Sequence, residues 1–90
     1  MKASDKLLRD RARNIPHVMN VGKNGITAGT IKQLDKELDR TELVKVRFLR
    51  AALGEDGDRK ALAADLAMKA RARLVQVVGN VVVLHRPKKN

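Results

Sequence analysis

No cysteine, tryptophan or tyrosine occurs in this chain of 90 residues, and Phe48 is its only aromatic side chain. The missing cysteines exclude disulfides, thiolate metal sites and cysteine nucleophiles together. Ser4 is the sole serine and suits a helix cap, so a serine triad has nothing to build on. The two histidines, His17 and His85, lie far apart without a ligand-spaced partner, whereas structural zinc wants four nitrogen or sulfur ligands. Asp56 and Asp58 sit in a charge-rich loop and read as solvation and helix capping. No apolar run approaches the roughly 20 residues that cross a bilayer. The charged N-terminus carries nothing like a signal peptide. These absences lead us to expect a cytoplasmic protein that is not an enzyme, with no metal, no cofactor, no small-molecule substrate and no membrane partner.

What is present in excess is positive charge. Twenty Lys and Arg stand against ten Asp and Glu, a formal net charge of +10 with a pI near 10.7. Such a surplus on a small domain points to a polyanion. The plainer alternative is solubility, but a solvated surface usually mixes its signs. Here they segregate. Residues 43–50 hold three cations and residues 66–90 hold six, with no acid in either stretch. Apart from Asp5 and Asp10, the acids fall within 35–42 and 55–65. This distribution predicts one strongly positive face. With 43% hydrophobic residues the chain has enough apolar side chains to fold, as one domain over residues 1–87 followed by a basic tail, 88–90.

Periodicity gives the elements. Ser4 to about Ile15 reads as a helix with an apolar stripe (Leu8, Ala12, Ile15) and a separate basic stripe (Lys2, Lys6, Arg9, Arg13), ended by Pro16. A short strand over 17–21 follows. Gly22-Lys23-Asn24-Gly25 is a tight loop, and Thr27 caps a second helix that buries Ile31, Leu34 and Leu38 and turns Lys32, Asp35, Lys36 and Asp39 to water. Residues 43–49 alternate as a strand, with Val44, Val46 and Phe48 on one face and Lys45 and Arg47 on the other. Residues 51–57 read as a loop, and Asp58 caps a third helix reaching about Arg71. Two nearly continuous apolar strands, 74–78 and 81–86, meet at Gly79-Asn80, a pair suited to a type II′ turn; both are expected inside the sheet. The order αβαβαββ predicts an α/β (α+β) fold, three helices covering a four-stranded mixed sheet.

The glycine loop is the sharpest chemical feature. Glycines at both ends allow a backbone path and a close approach that a Cβ would block. The helix that follows offers free N–H groups and the positive end of its dipole, and Lys23 adds a cation at the tip. Together these suit a phosphate. An ordinary strand-to-helix turn would use the same glycines, because short glycine patterns are weak motifs. Neither a Walker loop nor a G-x-G-x-x-G fingerprint is present. The basic stripe of the first helix could be a solvated face, but four cations sharing one face without acids favour a binding role. Lys45 and Arg47 could cover a sheet face with their stems. Without exposed rings for base stacking, recognition of a nucleic acid would lean on phosphates, 2′-hydroxyls and shape, with arginine planes able to stack.

The segment Val21-Gly22-Lys23-Asn24-Gly25-Ile26-Thr27 resembles the signature of the CRM domain, the chloroplast RNA splicing and ribosome maturation family that includes bacterial YhbY. Residues 42–48, 74–80 and 83–87 resemble the same family in the same order, across nearly the whole chain. The resemblance implies a fold similar to the C-terminal domain of translation initiation factor three and RNA binding through a KH-like glycine loop. It further implies association with precursors of the large ribosomal subunit, as in stand-alone prokaryotic members, or a part in intron splicing, as in plant members.

The residues expected to touch RNA are therefore Gly22, Lys23, Asn24, Gly25 and Thr27 of the loop, and Lys6, Arg9 and Arg13 of the first helix. Lys45 and Arg47 of the second strand join them, with Arg86, Lys88 and Lys89 as a basic arm. A monomer is expected. Two rival readings remain open here: an architectural DNA-binding protein of Alba type, and a protein-interaction subunit whose positive face meets an acidic partner.

Overall fold

A computed structural model describes residues 5–16, 18–53 and 58–87. The elements run α1 (Asp5–Arg13), β1 (Met19–Val21), α2 (Ala28–Thr41), β2 (Leu43–Phe48), α3 (Arg50–Leu53), α4 (Arg59–Lys69), β3 (Arg73–Val78) and β4 (Val81–His85). The four strands form one mixed sheet in the order β1-β2-β4-β3, with β1 parallel to β2 and the other two pairings antiparallel.

Alternation along the strands gives this sheet two different faces. On the inner face Met19, Val21, Val44, Val46, Phe48, Val82 and Leu84 pack with Leu34 and Leu38 of α2 and with Ala63, Leu66, Ala67 and Ala70 of α4. Burying the Met, Val, Leu and Phe side chains among these contributes roughly 1.5–3 kcal/mol each, the main favourable term of the fold. On the outer face Leu8 and Ala12 of α1 close over Leu43 and Val83, flanked by Ile15 and Val75. The three long helices thus divide between the faces, two against one. The single helix cannot cover a four-stranded sheet, so part of the outer face stays open.

Local chemistry explains most boundaries. The Thr27 hydroxyl accepts from the Thr30 N–H at 3.1 Å, and the Thr27 N–H donates to the Thr30 hydroxyl at 3.2 Å, a reciprocal capping box. Asp58 caps α4 by accepting from the Ala61 N–H at 3.0 Å. Gly79 has φ 56°, and Asn80 is not left-handed, as a type II′ hairpin turn requires.

Several expectations need correction. The first helix stops at Arg13, because the N–H groups of Asn14 and Ile15 turn back to the Arg11 and Ala12 carbonyls ahead of Pro16. Residues 50–53 form a helical turn instead of a loop, since Ala52 and Leu53 pack onto the end of the inner core. Strand β3 is an edge strand. Its apolar character on both faces comes from α4 on one side and α1 on the other, so Leu74 and Val77 join the inner core while Val75 joins the outer cluster. A bulge between Leu74 and Gln76 makes this possible and also twists the exposed edge. Lys2, the Ser4 cap, His17, Gly54, Asp56, Gly57, Lys88 and Lys89 lie outside the described residues.

Candidate nucleic-acid interface

The glycine loop is a hydrogen-bonded turn. The Gly25 N–H donates to the Gly22 carbonyl at 2.9 Å, which places Lys23 and Asn24 at the two central positions. Neither is left-handed, so the turn is of type I form, and both side chains are exposed. Gly25 itself has φ 68° and open space where a Cβ would stand. The Thr30 hydroxyl ties the turn to α2 by reaching the Gly25 carbonyl at 3.3 Å. The capping box occupies the Thr30 N–H, and the Ile31 N–H bonds the Thr27 carbonyl. The N–H groups of Ala28 and Gly29 therefore stay at the open helix end, with the positive pole of the α2 dipole behind them.

Other segments gather around this turn. The Leu49 N–H donates to the Val21 carbonyl at 2.9 Å, and a Cβ on Gly22 would lie 3.7 Å from the Leu49 side chain. The Phe48 N–H donates to the Asn80 carbonyl at 2.8 Å, which brings the β3–β4 turn to the same end of the sheet. Arg59 donates to the Asn80 side-chain oxygen at 3.2 Å. Arg50 and Arg59 thus join Lys23 at one end of the molecule, and neither was singled out from sequence. One signal for Arg59 was available. It opens α4 with Lys60 and no acid in the first turn, where the helix dipole disfavours cations.

The open part of the outer face continues this surface. Strand register sets Asn20, Arg47, Val81 and Val78 in one row across the sheet, two residues before Gly22 along β1. Beside the row, α1 presents Arg9 and Arg13, and a groove of about 340 Å³ lies between them and the strands. Arg9, Lys23 and Arg47 make no ion pair among the described residues. Lys6 is exposed on α1. Lys45 is half-buried and donates to the Ile15 carbonyl at 3.3 Å, clasping the end of α1 while still lining the groove. Arg13 is not on an acid-free face, because Asp10 comes within 3.7 Å of it one turn earlier.

Arg86 stands apart. It follows β4 at the opposite end of the sheet, a full strand length from the glycine loop, with its N–H on the Glu42 carbonyl. Its guanidinium makes four hydrogen bonds, to the Asp35 carboxylate and carbonyl, the Asp39 carboxylate and the Ala70 carbonyl. The hydrogen bond to Asp35 is the main reason its proton is held more tightly than usual. This corrects the reading of Arg86 as part of a clamping arm: it fastens α2 to the end of α4. Asp35 and Asp39 are correspondingly its partners, not simply a water-facing pair. The Thr27 hydroxyl is engaged first as a cap, so its contribution to the loop is structural.

A half-open mixed sheet with a glycine turn at a helix start defines a small α+β domain built to present backbone and cations together. The CRS1/YhbY (CRM) domain model matches residues 2–86, and the chain belongs to that family. It is 33% identical over 84 residues to "Probable RNA-binding protein YqeI" of Bacillus subtilis, covering 93% of this chain and 84% of that protein. It is 34% identical over 87 residues to "Probable RNA-binding protein PA4753" of Pseudomonas aeruginosa, covering 94% and 81%. The solution structure of the hypothetical protein SAV1595 from Staphylococcus aureus is similar with a TM-score of 0.76 and 38% identity, over 96% of this chain and 86% of that one.

Proposed function

We propose that this protein binds structured RNA by its sugar-phosphate backbone and acts, without catalysis, in the cytoplasm. The setting that its family suggests is maturation of the large ribosomal subunit or a related RNA assembly. The observation that carries the reading is the exposed Lys23-Asn24 turn, set between glycines at the start of α2 and adjoining the row that holds Arg47. A phosphate at the turn would meet unpaired backbone N–H groups, a helix dipole and a mobile ammonium at once. The names of the two bacterial relatives support the same partner.

The experiment is replacement of Lys23 and Asn24 together by Asp. Both side chains are exposed, so stability should change by only about 0.5 kcal/mol. A cation and a neutral amide give way to two carboxylates where the phosphate would sit, and like charges at such a contact typically cost several kcal/mol. Thermal unfolding should be unchanged while RNA titration shows affinity lost by at least roughly a hundredfold. Unchanged binding would mean that the glycines serve only a turn. Competition by duplex DNA at one fixed salt concentration tests the Alba-like alternative, since only RNA offers 2′-hydroxyls.

A further inference from the structure

The groove on the outer face differs in chemistry from the glycine turn. Its floor is apolar: Val81 and Val83 of β4, with Val78 of β3 at its edge, 60% exposed. Its rim is cationic, with Arg9 and Arg13 of α1 facing Arg47 of β2, and no carboxylate lines it. Gln76 contributes the one carboxamide, and its side chain makes no hydrogen bond among the described residues.

We propose that this groove holds one unpaired nucleotide of the bound RNA, an inference that rests on the RNA-binding reading above. Phosphates alone would not explain an apolar floor. An apolar ligand would not explain a rim on which Arg9 and Arg47 make no ion pair among the described residues and only Arg13 has an acid, Asp10, nearby. A nucleotide out of its stack supplies both a flat apolar face and flanking negative charge. The base lies on the valines with its edge toward Gln76, whose amide can donate and accept and therefore fits a base edge. Arg47 and Arg9 take the phosphates on either side, and an arginine plane stacks where an aromatic ring is lacking. The volume, about 340 Å³, falls at the small end of the range that holds small ligands, roughly 300–1,000 Å³. A base inside a continuous duplex is stacked and paired and cannot enter the recess beside α1. The protein is thereby selective for paired RNA that carries a bulge or a single-stranded flank.

The test uses the full chain with two RNA hairpins, one fully paired in its stem and one with a single bulged uridine. The bulged hairpin should bind about tenfold more tightly, toward the low end of what one base gains on an aromatic ring, since valines and an arginine plane stand in for the ring here. The double variant Val78→Lys, Gln76→Ala adds a cation at an exposed edge position and removes the amide. It should erase the preference while keeping or raising affinity for the paired hairpin. A photoreactive uridine at the bulge should crosslink to the β3–β4 hairpin. Equal binding of both hairpins by the unaltered protein would overturn the groove proposal and leave backbone binding standing. Retention of the full preference by the double variant, or crosslinks confined to the glycine turn, would overturn it too. If neither hairpin binds, the RNA-binding reading fails together with it.

Discussion

At the scale of single residues, three left-handed backbones show what sequence does and does not reveal. Gly25 was legible as a turn glycine, and its φ of 68° confirms why a glycine stands there. Glu42 (φ 66°) and Arg71 (φ 54°) adopt the same region at the ends of α2 and α4, and nothing in their side chains announces it. Arg71 occupies the position past the α4 cap. Its N–H bonds the Met68 carbonyl and the Ala72 N–H bonds the Ala67 carbonyl, the Schellman pattern that usually takes glycine. A left-handed non-glycine residue costs roughly 1–2 kcal/mol, part of which the greater freedom of an unfolded glycine offsets. Gly25→Ala should therefore destabilise by about 1 kcal/mol, lowering Tm by roughly 4–8 °C, through torsion alone since no atom opposes the new Cβ. Arg71→Gly should shift Tm upward by a few degrees for the same reason. Thermal unfolding followed by circular dichroism reads both. A fall in Tm for Arg71→Gly would show that the arginine side chain contributes more than its backbone strain removes.

At the scale of elements, the apolar stripes of α1 and α2 could be read from spacing, because a helix must bury its side chains at intervals of three and four. Which sheet face each helix takes could not, since that depends on how many helices compete for the inner core. The cap at Thr27 was legible, while the edge position of β3 was hidden by a strand that is apolar on both faces. The charge pattern misled most at Arg86, whose place beside a basic tail suggested solvent exposure. The distant partners, Asp35 and Asp39, sit one helical turn apart on α2, a spacing that favours one shared cation. Its side chain is 21% exposed, and its bonds to two backbone carbonyls do not depend on exposed carboxylates. Arg86→Ala should cost on the order of 2 kcal/mol, because the Ala70 and Asp35 carbonyls lose a charged donor. Arg86→Lys should recover only part of this, since an ammonium cannot reproduce the planar fork. Chemical denaturation of the two variants measures the difference; equal stability of all three proteins would show that the cradle is incidental. The raised folded pKa of Arg86 sets the sign of the pH effect. Its contribution is fully present at neutral pH and declines only as pH climbs through that value in strong alkali.

At the scale of the whole molecule, segregated charge becomes a surface. Several acids are held in internal pairs, Asp5 with Arg73 and Asp35 and Asp39 with Arg86, at the sheet end away from the glycine turn. Lys23, Arg50, Arg59 and Arg47 stand at or near the other end without an ion pair among the described residues, and Arg9 continues the surface along the groove. Sequence therefore showed the sign and size of the field, while its direction needed the fold. On the proposed reading, cations in this arrangement would bind a phosphate backbone by releasing its condensed counterions, so affinity would fall with salt in proportion to the phosphates neutralised. If about four to six are engaged, log K against log salt should have a slope of roughly −3 to −5, depending on strandedness. Arg47→Gln should make that slope shallower by roughly 0.7–0.9 and weaken binding to a similar degree for unrelated RNA sequences. Filter binding over a series of potassium chloride concentrations measures both. A slope near zero, with affinity retained at high salt, would contradict a backbone grip. It would direct attention instead to the apolar groove, whose contacts with a base are little screened by ions.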